Sequence, residues 1–418
     1  MLSISLDLYA CQSTQMGAKM KKMNLLKGAL VFITVVLLSG CSGNSADKLY
    51  KEGLKYIDNG NYEEAASNFS KAIALKADRA EYYIDYGMTL IMLNENKEAI
   101  LNFDKAILNK ENLIVNKNNK LAYRGKGIAY YKSHQYKEAI EEFDKALSIN
   151  ELSDLDEDIL YYKGSAEEKS GLYEYAVQTY TALIDNNPSD DKAYNNRGHA
   201  YGKLHEFDKG LADYDKAISL KKGNYNHYLG KYFLFMEADR KEEAHAILKE
   251  AAGIKVETEE DKFNLAKVHY YLEEYDLAID EFSKAFESGF KESYYYLGNI
   301  YDKREDYKEA VINYQKYIEA EGISKTVLVY NQIGTCLIKL GRYSEALSNI
   351  QTGLEYQDKN VEQQLKKNEI AAYEKIGDFV TAYHLMTDYI NLNPEDKEAK
   401  KEYEFLKTRL PEASSIKN

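Results

Sequence analysis

The sequence predicts an all-α solenoid of about ten stacked helix pairs closed by a C-terminal capping helix. Three observations carry this reading. The 418 residues include only three prolines and no tryptophan, yet 44% are hydrophobic and 39 are tyrosine, so apolar surface can be buried without helix breakers. A short pattern returns ten times in phase: a small anchor residue, a large residue four later and, in most copies, another small one three further on. Seven of the ten copies also place a glycine twelve residues ahead of the anchor.

Residues 1–19 show no targeting logic and read as an over-called translation start, with initiation at Met20 or Met23. Residues 20–40 combine a basic start, a ten-residue apolar run at Gly28–Leu37 and a small-residue ending. That is the layout of a secretory signal, and the apolar run is short for a membrane span. The tetrapeptide Leu38-Ser39-Gly40-Cys41 resembles the lipobox of bacterial lipoproteins at all four positions. The resemblance implies cleavage before Cys41, a diacylglycerol thioether on its sulfur and acylation of the new amino terminus. Two or three acyl chains anchor stably where one does not. Residues 41–45 would form a lipidated tether holding the first repeat close to the bilayer. Usage rich in Lys, Asn, Ile and Tyr suggests an AT-rich genome and the outer face of a single cytoplasmic membrane; Ser42 would permit outer-membrane sorting in a two-membrane cell.

Formal net charge is -13, and a product beginning at Cys41 would carry 51 basic and 67 acidic residues. Such a balance repels phosphate backbones and opposes broad docking onto anionic lipid, which excludes nucleic acid as the expected partner. The three cysteines, Cys11, Cys41 and Cys336, are too few and too far apart for a disulfide framework or a zinc site.

The anchors are Ala65, Ala99, Ala139, Ala176, Gly210, Ala244, Ala278, Ala310, Ala346 and Ala382, at steps of 32 to 40 residues with 34 the commonest. Twelve residues earlier stand Gly53, Gly87, Gly127, Gly164, Gly198, Tyr232, Ala266, Gly298, Gly334 and Ile370. Segments such as YNNRGHAYGKLHEFDKGLADYDKAISL (194–220) resemble the tetratricopeptide repeat family, and the resemblance covers residues 46–394. It implies a right-handed superhelix with repeats at about 46–79, 80–113, 120–153, 157–190, 191–224, 225–258, 259–290, 291–324, 327–360 and 363–394. In repeat numbering, small residues fall at positions 8, 20 and 27 and large ones at 4, 11 and 24. Small residues let paired helices cross closely, position 8 being expected against position 20, while the large ones fill gaps to the next repeat. One pair cannot bury its own apolar face, so neighbours stack.

Departures from the pattern carry their own expectations. Tyr232 and Ile370 replace glycine and should force their pairs to splay or repack. Asn109–Asn119 and the acidic Glu151–Glu157 should protrude as loops. Residues 395–409 read as the capping helix, and 410–418 as a flexible tail.

No sequence pattern marks chemistry. The seven histidines are scattered without metal spacing, and no phosphate loop or nucleophile elbow occurs. Paired glutamates such as Glu63-Glu64 open helices, where the macrodipole favours them. Cys336 falls in mid-helix, where a buried inert thiol is expected. The reading is a non-enzyme with neither cofactor nor metal.

The family resemblance implies a concave face lined by first-helix positions 2, 5, 6, 9, 12 and 13. Carried over, these give Tyr161, Tyr162, Asn195, Asn196, His199 and Lys203, then Asn264, Lys267, Tyr295, Tyr296, Asn299, Asn331, Gln332 and Asn368. Position 6 is an amide in four repeats: Asn196, Asn264, Gln332 and Asn368. One reading is a partial amide ladder holding an extended peptide backbone, with tyrosines gripping side chains. The other is that the amides are neutral groove residues and the tyrosines pack between repeats. The carboxylate clamp of some family members is not matched, since Tyr50 and Leu54 stand where Lys and Asn would be needed. The expected function is a membrane-anchored extracytoplasmic scaffold or adaptor for proteins or extended peptides. The alternatives are a factor dedicated to one envelope machine (pilus, secretion or outer-membrane assembly) and, more remotely, a ligand-binding surface lipoprotein.

Overall fold

The computed structural model describes residues 45–108, 110, 112–321, 327–356 and 359–410. The expected translation start, signal segment, Cys41 and residues 411–418 lie outside the described residues. Every regular element among the described residues is helical, and the chain divides into two compact units, Met1–Ile247 and Leu248–Asn418.

The first unit pairs α1 (Ser45–Asp58) with α2 (Tyr62–Leu75), α3 (Ala80–Met92) with α4 (Asn96–Ala106), and α5 (Leu113–Lys132) with α6 (Tyr136–Leu147). It continues with α7 (Asp156–Lys169) and α8 (Tyr173–Asn186), α9 (Asp191–Lys203) and α10 (Phe207–Leu220), then α11 (Tyr225–Glu237) and the start of α12 (Lys241–Ala252). The second unit begins within α12 and pairs α13 (Glu259–Tyr271) with α14 (Tyr275–Glu287), and α15 (Ser293–Lys303) with α16 (Tyr307–Glu321). There follow α17 (Val327–Lys339) with α18 (Tyr343–Glu355), α19 (Lys359–Ile376) with α20 (Phe379–Leu392), and the unpaired α21 (Lys397–Lys407). Within each unit, consecutive helices pack on one another.

Each pair reverses on a single left-handed residue at position 15: Gly60, Asn94, His134, Gly171, His205, Asp239, Glu273, Glu305, Gly341 and Gly377, with φ between 55° and 90°. Glycine adopts that region freely, whereas Glu273 and Glu305 hold a β-carbon against the following carbonyl. The helices also carry explicit starts. Asn112 caps α5, Asp190 caps α9, Thr258 and Asp261 form a capping box on α13, and Asp396 caps α21.

Inside a pair, the glycine at position 8 faces the ring at position 24. A β-carbon on Gly53 would lie 2.5 Å from Phe69, on Gly127 2.5 Å from Phe143, on Gly164 2.6 Å from Tyr180 and on Gly298 2.4 Å from Tyr314. The atoms nearest position 8 in these repeats belong to the ring at position 24, so the ring adds to the expected approach of positions 8 and 20. Positions 8 and 20 meet through their backbones in repeat five, where a β-carbon on Gly198 would meet the Gly210 carbonyl at 3.0 Å and one on Gly210 the Gly198 carbonyl at 2.8 Å, and more loosely in repeat nine, where one on Gly334 would lie 3.9 Å from the Ala346 carbonyl. The ring's other side meets position 6 of the next repeat. A β-carbon on Gly125 would lie 2.4 Å from Phe103, and Tyr296 stacks on Phe282 at 4.8 Å with ring planes 5° apart.

The irregular segments fold more tightly than expected. Residues 113–119 form the first turns of α5 rather than a protruding loop, and the Asn119 amide bonds both the nitrogen and the carbonyl of Leu108 at 2.9 and 2.8 Å. The acidic link turns at Leu152 and contains a 3-10 turn, Ser153–Leu155. Asp156 and Asp158 just beyond it receive Lys120 and Arg124 of α5, each at 2.6 Å. Where Ile370 replaces glycine, Met386 replaces the ring, and both sit buried in one cluster, so the pair repacks.

Gly298→Ala should destabilise the chain by about 2 kcal/mol in urea unfolding, because Tyr314 is fully buried and cannot yield. Adding Tyr314→Met should recover part of that loss, and a single variant within about 0.5 kcal/mol of wild type would contradict the wedge. Glu305→Gly should stabilise by about 0.5–1 kcal/mol by relieving the left-handed strain.

Candidate peptide-binding face

The expected face divides between the two units, and most of its side chains already have partners within the chain. In the first unit, half-buried Tyr161 donates to both oxygens of Asp190, at 2.7 and 2.6 Å. Tyr162 is buried and stacks on Phe143. The Asn195 oxygen meets His227 Nδ1 at 3.1 Å, and its Nδ2 donates to Asn196 at 3.3 Å. His199 is buried against Glu168 at 2.9 Å, and Lys203 donates to Glu237 at 2.6 Å.

In the second unit, Asn264, Lys267, Tyr295, Tyr296 and Asn299 are buried. Tyr162, Tyr295 and Tyr296 are therefore core residues, and the expectation that they grip a partner's side chains is corrected. The reason is geometric: positions 5 and 6 lie over neighbouring rings, as Tyr295 does over Tyr317 at 5.6 Å. The amides form a ladder, but one that closes on itself. Asn299 accepts from Tyr314 and from Gln332 Nε2, at 2.8 and 3.2 Å. Asn368 donates to Asn331 at 2.7 Å and to Thr335 at 3.0 Å. The Gln332 Oε1 atom is buried and receives no donor from the described residues.

Two arrangements escaped the sequence reading. Position 7 reaches position 25 of the preceding repeat: Lys126 to Asp104 at 2.8 Å, Lys163 to Asp144 at 2.6 Å, Arg197 to Thr181 at 3.0 Å and Lys231 to Asp215 at 2.5 Å. The signal was present, since four successive repeats carry a cation there while the second unit has Leu265, Leu297, Ile333 and Glu369. Arg197 also makes a bidentate pair with Asp213, both bonds 2.8 Å. The second arrangement joins the first two repeats through crossed bonds. Tyr50 donates to Asp85, Tyr82 donates to Asp47, and the two rings stack at 4.5 Å. Burial pushes the Asp85 pKa up to about 6 against the opposing Tyr50 hydrogen bond.

No group of three or more His, Cys, Asp or Glu among the described residues is placed to hold a metal ion, and no described helix is long and apolar enough to cross a membrane. Cys336 is fully buried, burial raises its thiol pKa, and its Sγ donates weakly to Asp302 at 3.5 Å.

Models described as tetratricopeptide repeat match residues 50–112, 121–153, 191–224, 263–322 and 327–360, together more than half of the 418 residues. The chain belongs to the tetratricopeptide repeat family. Among curated relatives, the Hsp70-Hsp90 organizing protein of Triticum aestivum is 28% identical over 213 residues, 42% of this chain and 37% of that protein. Hsp70-Hsp90 organizing protein 1 of Glycine max is 29% identical over 187 residues, 38% and 33% respectively. The chain spans about a third of the length of these relatives. A crystal structure of a tetratricopeptide repeat protein from Parabacteroides merdae, 16% identical, covers 59% of this chain and 94% of its own with a TM-score of 0.46.

Arg197→Ala should destabilise the first unit by about 3 kcal/mol, because Asp213 is left buried and unpaired. Hydrogen exchange in α9 and α10 reads this directly. Asp85 has a folded pKa above its unfolded value, so its contribution is fully present below about pH 4 and is lost as pH rises through about 6. Asp85→Asn keeps an acceptor for Tyr50 and should stabilise by about 1–2 kcal/mol at pH 7.5, the difference vanishing near pH 4 in paired thermal melts.

Proposed function

We propose that this chain is a non-enzymatic scaffold, held at the extracytoplasmic face of a membrane by lipid on Cys41, that engages partner proteins through an extended segment laid along its first helices. The observation that carries the binding mode is the half-buried amide pair Gln332 and Asn368 of the second unit, with the spare acceptor on Gln332. A buried acceptor lacking a donor costs free energy, and an approaching peptide N–H removes that cost. Membership of the repeat family supports the protein-binding class. The names of the plant relatives describe organizers of other proteins, and an organizing role is what we assign here. The anchor reading rests on Leu38-Ser39-Gly40-Cys41 and on α1 starting at Ser45, which leaves a tether of only a few residues.

Photo-crosslinking in intact cells tests the face. Benzoylphenylalanine at Lys203 or Asn331 should give partner adducts, whereas the exposed second-helix positions Tyr175 and Leu277 should give none. Adducts confined to the second-helix positions would overturn the assignment. Mass spectrometry of the membrane fraction should find Cys41 as a lipidated amino terminus, and Cys41→Ser should release the protein; an unmodified Cys41 would remove the anchor.

A further inference from the structure

Among the exposed large apolar side chains of the first unit, four gather at one edge of the array: Leu75 at 58%, Leu108 at 41%, Leu113 at 60% and Ile114 at 71%. The register of the first helices defines that edge. Tyr82 donates to Asp47 and Tyr50 to Asp85, a constant offset of 35 residues that makes α1 and α3 parallel and sets Ser45 level with Ala80. Gly87 of α3 and Gly125 of α5 flank the same Phe103 ring, so seven residues before each glycine, Ala80 and Asn118 stand level in turn. Helix α5 nevertheless begins at Leu113, five residues before Asn118, which carries it about 7 Å past the starts of α1 and α3. Helix α2, returning beside α1, ends with Leu75 on this same edge.

The projecting turns are braced on both flanks. Asn112 caps them, Asn119 holds the main chain of Leu108 on one side, and Asn116 donates to Glu151 at 2.9 Å on the other. Lys120 then ties the base of the projection to the Ile149 carbonyl at 2.7 Å. Val115 turns inward and is buried, while Leu113 and Ile114 stay outward at the tip. Two adjacent aliphatic side chains held in water by a braced helix end are unfavourably solvated, and an apolar medium removes that cost.

We propose that Leu113 and Ile114, with Leu108 beside them, enter the headgroup–acyl boundary of the bilayer that holds Cys41. This rests on the lipid-anchor reading and adds to it a second contact, made by the protein itself, that sets which edge of the first unit faces the membrane. The occupant follows from the tether. Four residues of chain from Cys41 to Ser45 span about 14 Å at most, and the apolar tip projects from the edge where that tether enters α1. Two aliphatic side chains bind a bilayer weakly by themselves, but the acyl anchor confines them next to it. The contact is apolar, so it needs no anionic lipid and is compatible with a net charge of -13.

The chain has no tryptophan, so Ile114→Trp supplies a single fluorescent reporter. The full-length variant is purified from membranes, its Cys41 is checked by mass spectrometry, and it is reconstituted into phosphatidylcholine vesicles brominated near the headgroup end of the acyl chains. Its emission should be blue-shifted and quenched about twofold relative to unbrominated vesicles, at low and high salt alike. Leu113→Trp gives the same reading from the adjacent residue, so a folding failure of one variant leaves the test standing. Tyr175→Trp, exposed at the start of α8 on the opposite edge, should emit as an indole in water and stay unquenched. With Cys41 lipidated, unquenched emission from both tip variants would overturn the insertion while leaving the anchor intact. A blue shift without quenching would do so too, because a protein surface such as a second copy then covers the tip. Equal quenching at Tyr175→Trp would also overturn it, and an unmodified Cys41 would overturn both readings together.

Discussion

The structure depends on one steric arrangement: a ring at repeat position 24 wedged into the space that a missing β-carbon leaves at position 8 of the paired helix. The hydrophobic gain of burying Phe69, Phe143, Tyr180 or Tyr314 completely is available only because the facing residue has no side chain. The same ring then serves as floor for position 6 of the following repeat, so intra-repeat and inter-repeat packing share one residue. This sharing explains why a helix pair with little core of its own can propagate. It also explains why the position-6 tyrosines belong to the core, since Tyr162 and Tyr296 complete the stack over Phe143 and Phe282.

Around this common wedge the two units solve the inter-repeat contact with different chemistry. In repeats three to six of the first, position 7 is a cation bonded to the preceding repeat, and the partly buried pairs make that unit's packing sensitive to charge. In the second, Leu297 and Ile333 occupy the position and are buried, making an apolar contact, while in the last repeat Glu369 accepts from Gln351 at 3.1 Å. Asp85 and Arg197 mark where titration or truncation should be felt, and the second unit offers few equivalents at the same position.

The fold was legible in the sequence to the extent that it follows from spacing. Seven glycines twelve residues before an anchor, with a large residue four after it, specify a crossing of paired helices whatever the partners. The left-handed residue at position 15 was not legible, because His134, Glu273 and Glu305 carry no local sign of positive φ. The candidate face was less legible. Its residues fall on first helices, but burial depends on what the next repeat contributes, and a sequence window shows one repeat at a time. Thus Tyr295 read as a gripping side chain and proved to be packed, while the hydrogen bond from Asn368 to Asn331 joins residues 37 apart. The expected loop at Asn109–Asn119 failed for a related reason: its polar residues found partners, Asn119 on Leu108 and Asn116 on Glu151.

Several buried polar atoms of the described residues lack a hydrogen-bond partner, among them Gln332 Oε1 and Ser293 Oγ. Both lie on first helices, where the family resemblance places the face. The claim that this face takes an extended segment is tested most directly by hydrogen exchange on the full-length protein with a peptide selected for binding to it. Protection should rise along α13, α15 and α17 and stay unchanged along α14, α16 and α18. Protection confined to those second helices would contradict it.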